Sequence, residues 1–138
     1  MMRSLLSSNN AFSSISKSVI VIDDELELST LFKIFLSKEG YNAIAFSDPL
    51  VALEYFKDNS DRYSLVITDM RMPGISGIEL GKKIREMNDK VKIFLMTAFE
   101  ITDLEESPDF KAARFDRLIQ KPVHFSELRE MINTLWKS

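Results

Sequence analysis

The 138-residue sequence contains no cysteine. Disulfides, thiol chemistry and thiolate metal sites are therefore excluded. Long apolar runs are also missing, and the longest falls far short of a membrane span. Residues 1–17 carry one arginine and no continuous apolar stretch, which is a poor signal peptide. Positive charge is in deficit: 18 Lys and Arg stand against 21 Asp and Glu, a formal net charge of −3. That balance argues against nucleic-acid binding by phosphate neutralisation. No internal repeat is visible. These absences leave a cytoplasmic protein as the expectation.

What remains is an ordinary globular balance, 45% hydrophobic and 28% charged, in a length that suits one domain with one core. The first 17 residues hold six serines and two adjacent asparagines. Their apolar residues are too scattered for a core, so they read as a flexible extension. An arm that docks on its own domain or on a neighbour is the sharper alternative.

The folded part is expected over residues 18–138. Ser18 to Ile22 is a continuous apolar strand of the kind buried on both faces, which suggests a parallel sheet. It ends in Asp23-Asp24. Leu28, Leu31, Phe32 and Phe35 then recur at helical spacing, and Gly40 closes that helix. Tyr41 to Phe46 is a second strand. Ser47-Asp48-Pro49 starts the next helix, with Ala52, Leu53 and Phe56 facing inward.

Leu65 to Thr68 is a third strand, followed at once by Asp69 and the turn residues Pro73-Gly74. Leu80, Ile84 and Met87 mark a helix that opens near Gly77. Val91 to Met96 is a fourth strand, followed by Thr97-Ala98. An acidic loop over Glu100 to Glu106 precedes a short helix at about 108–113, signalled by Ser107-Pro108-Asp109. A fifth strand is expected over Arg114 to Ile119, followed by Lys121-Pro122. A last helix carries Leu128, Met131, Ile132 and Leu135. His124 starts it, with Glu127 as a capping-box partner, and Trp136 ends its apolar stripe.

The alternation βαβαβαβαβα implies a parallel sheet covered by helices on both faces. Asp23, Asp24, Asp69, Thr97 and Lys121 all fall at strand carboxyl ends, where open α/β sheets place their ligand crevice. Three carboxylates in one crevice repel one another. A hard divalent cation such as Mg²⁺ relieves that cost through oxygen ligands. Asp23-Asp24 alone would fit a helix N-terminus equally well. Asp69 at a second strand end favours the metal, with one backbone carbonyl just after Asp69 as a further ligand. Lys121 supplies a cation that can pair with Asp69 and then with a phosphoryl oxygen. Thr97 offers a hydroxyl for the same oxygens, although it also fits a β-favouring residue that ends a strand. Asp69 is then a nucleophile toward a labile phosphoryl donor, and its acyl phosphate would shift the surface around residues 97–122.

These motifs resemble the response-regulator receiver domains of two-component signalling, single-domain type. The resemblance rests on Val21-Ile22-Asp23-Asp24-Glu25, Asp69-Met70-Arg71-Met72-Pro73-Gly74, Gly77-Ile78-Glu79-Leu80, Met96-Thr97-Ala98 and Lys121-Pro122. It implies a flavodoxin-like (βα)5 three-layer sandwich with strand order 2-1-3-4-5. It also implies phosphorylation of Asp69 by a histidine kinase or histidine phosphotransfer protein. Mg²⁺ or Mn²⁺ would be held by Asp23 or Asp24, Asp69 and the Arg71 carbonyl. The protein would catalyse only its own phosphorylation and dephosphorylation. An unknown downstream protein and a homodimer remain open as partners. The chain ends soon after the last helix, which fits a stand-alone regulator and a piece of a longer chain alike.

Three positions depart from the family pattern. Leu118 stands where the switch aromatic is usual, Arg114 and Phe115 replace small residues, and Pro108 disturbs the fourth helix. Phe99 and Phe115 are candidate replacement aromatics. The Arg71 side chain either overhangs the pocket or is solvated. Other functions are weaker. An aspartate-nucleophile phosphatase generally needs an acid where Arg71 stands. A nucleotide or flavin binder needs a Gly-rich phosphate loop where Asp23 and Asp24 stand. A degenerate, phosphorylation-independent scaffold does not need the complete acid, threonine and lysine set.

Overall fold

The structure, a computed structural model, describes residues 17–98 and 106–137. The extension before Lys17, Phe99 and most of the acidic loop lie outside the described residues. Five strands and five helices alternate: β1 (Ser18–Ile22), α1 (Leu26–Lys38), β2 (Asn42–Phe46), α2 (Pro49–Asn59), β3 (Leu65–Asp69), α3 (Gly77–Met87), β4 (Lys92–Thr97), α4 (Pro108–Ala113), β5 (Arg117–Gln120) and α5 (Phe125–Lys137). The sheet is parallel, in the order β2-β1-β3-β4-β5. This is the expected flavodoxin-like order, with the switch point between β1 and β3.

The central strands are apolar throughout because both faces are covered. Val19, Val21, Leu65, Ile67, Phe94 and Met96 pack against Phe32 and Leu36 of α1 and Leu128 and Ile132 of α5. The alternate residues, Ile20, Ile22, Val66 and Ile93, pack against Ala52 and Phe56 of α2 and Leu80 and Ile84 of α3. Each fully buried aliphatic or aromatic side chain contributes about 1.5–3 kcal/mol.

Local signals set the boundaries. Gly40 closes α1 at φ +96°, a conformation that side chains disfavour. The Asp48 side chain accepts from the N–H groups of Leu50 and Val51, and Pro49 opens α2. Ser76 and Ser107 cap α3 and α4 in the same way.

Three expectations need correction. Leu31 is exposed, and its inward place goes to Ser29, whose hydroxyl is satisfied by the Leu26 carbonyl. Met87 is also exposed, while Gly81 and Arg85 of the same helix are buried. Finally, β5 begins at Arg117 rather than Arg114. Arg114 is the left-handed residue (φ 51°, ψ 59°) that ends α4, the place a glycine would fill without strain.

Candidate functional site at the sheet's carboxyl edge

Strand register builds the site. Ile22 lies opposite Thr68, so Asp23 and Asp69 follow at one level on adjacent strands. Asp69 is opposite Met96, which puts Thr97 one residue higher. Thr97 is opposite Gln120, and the Lys121 N–H donates to the Thr97 carbonyl at 2.9 Å. The five residues expected to converge therefore do so. Asp24, Glu25, Asp69, Met70, Arg71, Thr97, Ala98 and Lys121 line one crevice of about 330 Å³.

The carboxylates of Asp23, Asp24 and Asp69 each present an oxygen within 4.8 Å of the others. Asp23 is fully buried and Asp24 exposed. Asp69 Oδ1 accepts from its neighbour's N–H, that of Met70, at 2.9 Å. Asp69 Oδ2 accepts from Lys121 Nζ at 3.2 Å. Asp23 Oδ1 accepts from the Glu25 N–H at 3.0 Å. Asp23 Oδ2 is the one buried side-chain oxygen or nitrogen among the described residues that has no hydrogen-bond partner. Lys121 Nζ stands 3.7 Å away, an ion-pair distance beyond a good hydrogen bond.

Three acids thus face a single ammonium. Burial pushes the Asp69 carboxyl up from its ordinary value, and the nearby Asp24 adds to this against the pull of Lys121. Burial raises Asp23 too, with Asp69 and Asp24 adding repulsion. For Lys121, burial opposes the charge, but attraction from Asp23 and Asp69 wins and the ammonium is held above its usual value. A desolvated oxygen without a donor, in a set of hard oxygen ligands with excess negative charge, fits a small divalent cation.

Two residues near Asp69 carry more than their sequence signals suggested. Gly77 opens α3 directly against β3: its N–H donates to the Met70 carbonyl at 2.7 Å. A Cβ there would lie 2.1 Å from the Asp69 carbonyl oxygen. Its place in the family-like motif was the signal available. Met70 stands in a family-like motif as well, but nothing there pointed to Thr97: the Met70 sulfur accepts from the Thr97 hydroxyl at 3.6 Å. The departures from the family pattern are placed as follows. Leu118 is half-buried opposite Leu95. Phe115 packs on Phe110, with ring centroids 5.4 Å apart, and over Gly81. Arg114 pairs with Asp89. His124 lies at the start of α5, its carbonyl accepting from Leu128. Trp136 packs on Tyr41, with Lys17 over its ring.

The family model described as "Response regulator receiver domain" matches residues 19–133. The chain is 27% identical over 118 residues to sporulation initiation phosphotransferase F of Bacillus subtilis, covering 85% of this chain and 91% of that protein. It is 30% identical over 121 residues to response regulator receiver protein CpdR of Brucella abortus, covering 88% and 95% respectively. Among solved structures it is similar to response regulator protein TrrA of Thermotoga maritima, crystallised in complex with Mg²⁺-BeF. That match has 35% identity and a TM-score of 0.73 and covers 86% of this chain and 98% of that one. With matched sequence, fold and strand-end residues in agreement, the chain belongs to the response regulator receiver domain family of two-component signalling.

Proposed function

We propose that Asp69 is the phosphoacceptor of this receiver domain and that residues 18–138 form the unit that serves it. One observation carries the reading. The Asp69 carboxylate sits at the end of β3, 3.2 Å from the Lys121 ammonium, which also stands 3.7 Å from the Asp23 oxygen that lacks a hydrogen-bond partner. An oxygen of Asp69 attacks the phosphorus of a phosphorylated histidine or a small phosphodonor. The bond from phosphorus to the leaving group breaks, the leaving group keeps the electron pair, and an acyl phosphate forms. Lys121 pairs with a phosphoryl oxygen, and Thr97 donates its hydroxyl to another. When bound by Asp23, Asp24, Asp69 and the Arg71 carbonyl, Mg²⁺ supplies charge that neutralises those oxygens. The Mg²⁺-BeF complex of the similar Thermotoga protein supports that metal.

The donor in the cell is a histidine kinase or histidine phosphotransfer protein in the cytoplasm. The domain catalyses only its own phosphorylation and dephosphorylation, and passes the change to a downstream protein through the surface around residues 97–122. Incubation with Mg²⁺ and a small phosphodonor, followed by intact-mass measurement, tests this. Wild type should gain one phosphoryl group and Asp69→Asn none. An unmodified wild-type protein would favour a phosphorylation-independent scaffold.

A further inference from the structure

We propose that the exposed face of α1 is a self-association surface, on which a second copy of this chain seats its own α1 antiparallel across a two-fold axis. Leu31 and Ile34 are 49% and 47% exposed, while Ser29, Phe32 and Leu36 of the same 13-residue helix are buried against the domain. Glu27, Leu31, Ile34 and Lys38 follow one another at steps of four, three and four residues. That spacing sets them in one stripe along the helix, as in the seam of a coiled coil. All four are exposed. The stripe is therefore acidic at its amino end, apolar in the middle and basic at its carboxyl end.

This order is self-complementary. Leu31 and Ile34 are centred on the same point of the helix as Glu27 and Lys38, between Phe32 and Lys33. A two-fold axis through that point brings Leu31 against Ile34 of the second copy and Glu27 against its Lys38, and each contact occurs twice. A parallel pairing would instead oppose like charges at both ends. The flank of the stripe does not obstruct the approach. Thr30 and Ser37 are small, and the Thr30 hydroxyl already donates to the Leu26 carbonyl at 2.8 Å. The end charges are not engaged within the domain. Among the described residues no ion pair holds Glu27 or Lys38, and the neighbouring Glu39 is paired with Arg129 of α5. An interface one short helix wide belongs to the small, transient class. The dimer should accordingly have a dissociation constant on the order of 0.1 mM.

Sedimentation equilibrium of the full chain, from about 10 µM to about 1 mM, tests this. Wild type should pass from monomer to dimer across that range. Ile34→Gln should weaken the dimer roughly ten-fold, since the apolar contact is lost twice. Glu27→Lys and Lys38→Glu should each weaken it roughly ten-fold, because both symmetric pairs become repulsive. The double variant Glu27→Lys/Lys38→Glu should restore dimerisation. Mixing the two single variants should restore it as well, because the heterodimer regains both pairs of opposite charge. All three positions are exposed, so urea unfolding should show each variant folded. Wild type that stays monomeric throughout the range would overturn the proposal. So would a dimer indifferent to these substitutions, or a loss that neither the double exchange nor the mixture restores.

Discussion

Gly77→Ala should separate placement of Asp69 from mere stability. The added Cβ would meet the Asp69 carbonyl oxygen at 2.1 Å, and the Asp69 carbonyl carbon and Met70 Cα at 2.9 Å each. All three are backbone atoms, so no rotamer change relieves the overlap. The first contact is more than about 1 Å inside van der Waals distance. Either α3 retreats or the end of β3 does, and the 2.7 Å bond from the Gly77 N–H to the Met70 carbonyl stretches in both cases. Overpacking of this kind costs about 1–3 kcal/mol, a fall in Tm of roughly 4–10 °C at this size. A displacement of about 1 Å at a reacting group can cost on the order of 100-fold in rate. Phosphorylation by a small donor, followed over time by intact mass, should therefore slow by one to two orders of magnitude. Gly81→Ala is the control. Its Cβ would meet ring carbons of Phe115 at 2.7 Å, but that ring can turn, and alanine gains about 0.5–1 kcal/mol within a helix. It should phosphorylate at the wild-type rate with stability changed by less than about 1 kcal/mol. Wild-type phosphorylation by folded Gly77→Ala would refute the reasoning.

Mg²⁺ should stabilise wild type by about 2.7 kcal/mol at one hundred times its dissociation constant, and Asp23→Asn should abolish most of the Tm rise that reports it. Arg85→Lys should cost about 3 kcal/mol in urea unfolding, because lysine cannot copy the bonds of the buried guanidinium to four carbonyls and to Asp116. Arg114→Gly should raise stability by about 1 kcal/mol by relieving the left-handed backbone, and the exposed pair with Asp89 is too weak to offset that. Arg114 holds the Asp89 carboxyl below its usual range. The pair's contribution is therefore present above the ordinary value of 3.8 and is lost as the pH falls through the depressed one. The advantage of Arg114→Gly in thermal melts should widen accordingly below about pH 4.

The residues whose convergence was legible in the sequence share a property: each follows or ends a strand of the parallel sheet. Asp23, Asp69, Thr97 and Lys121 needed only strand limits and a parallel register to be brought together. Strand limits are legible because apolar runs and turn residues mark them. Contacts that depend on side-chain reach across the fold left no such mark. The Met70 sulfur at Thr97 is an example.

Arg85 shows why the readout side is less legible than the chemistry. It follows Ile84 in an amphipathic helix, where an arginine ordinarily reads as solvated. Its guanidinium is nevertheless buried, because the carbonyls of Ala113 and Arg114, 28 and 29 residues away, converge on it. Asp116 joins them and also accepts from the Ile93 N–H. One side chain therefore ties the turn between α4 and β5 to both α3 and β4. The left-handed Arg114, which breaks the family pattern, presents its carbonyl to this knot. That turn is thereby fixed to the body of the domain, while Leu118 lies half-buried opposite Leu95. A leucine there can transmit a push by packing, but it carries no polar edge to exchange with solvent as a tyrosine would.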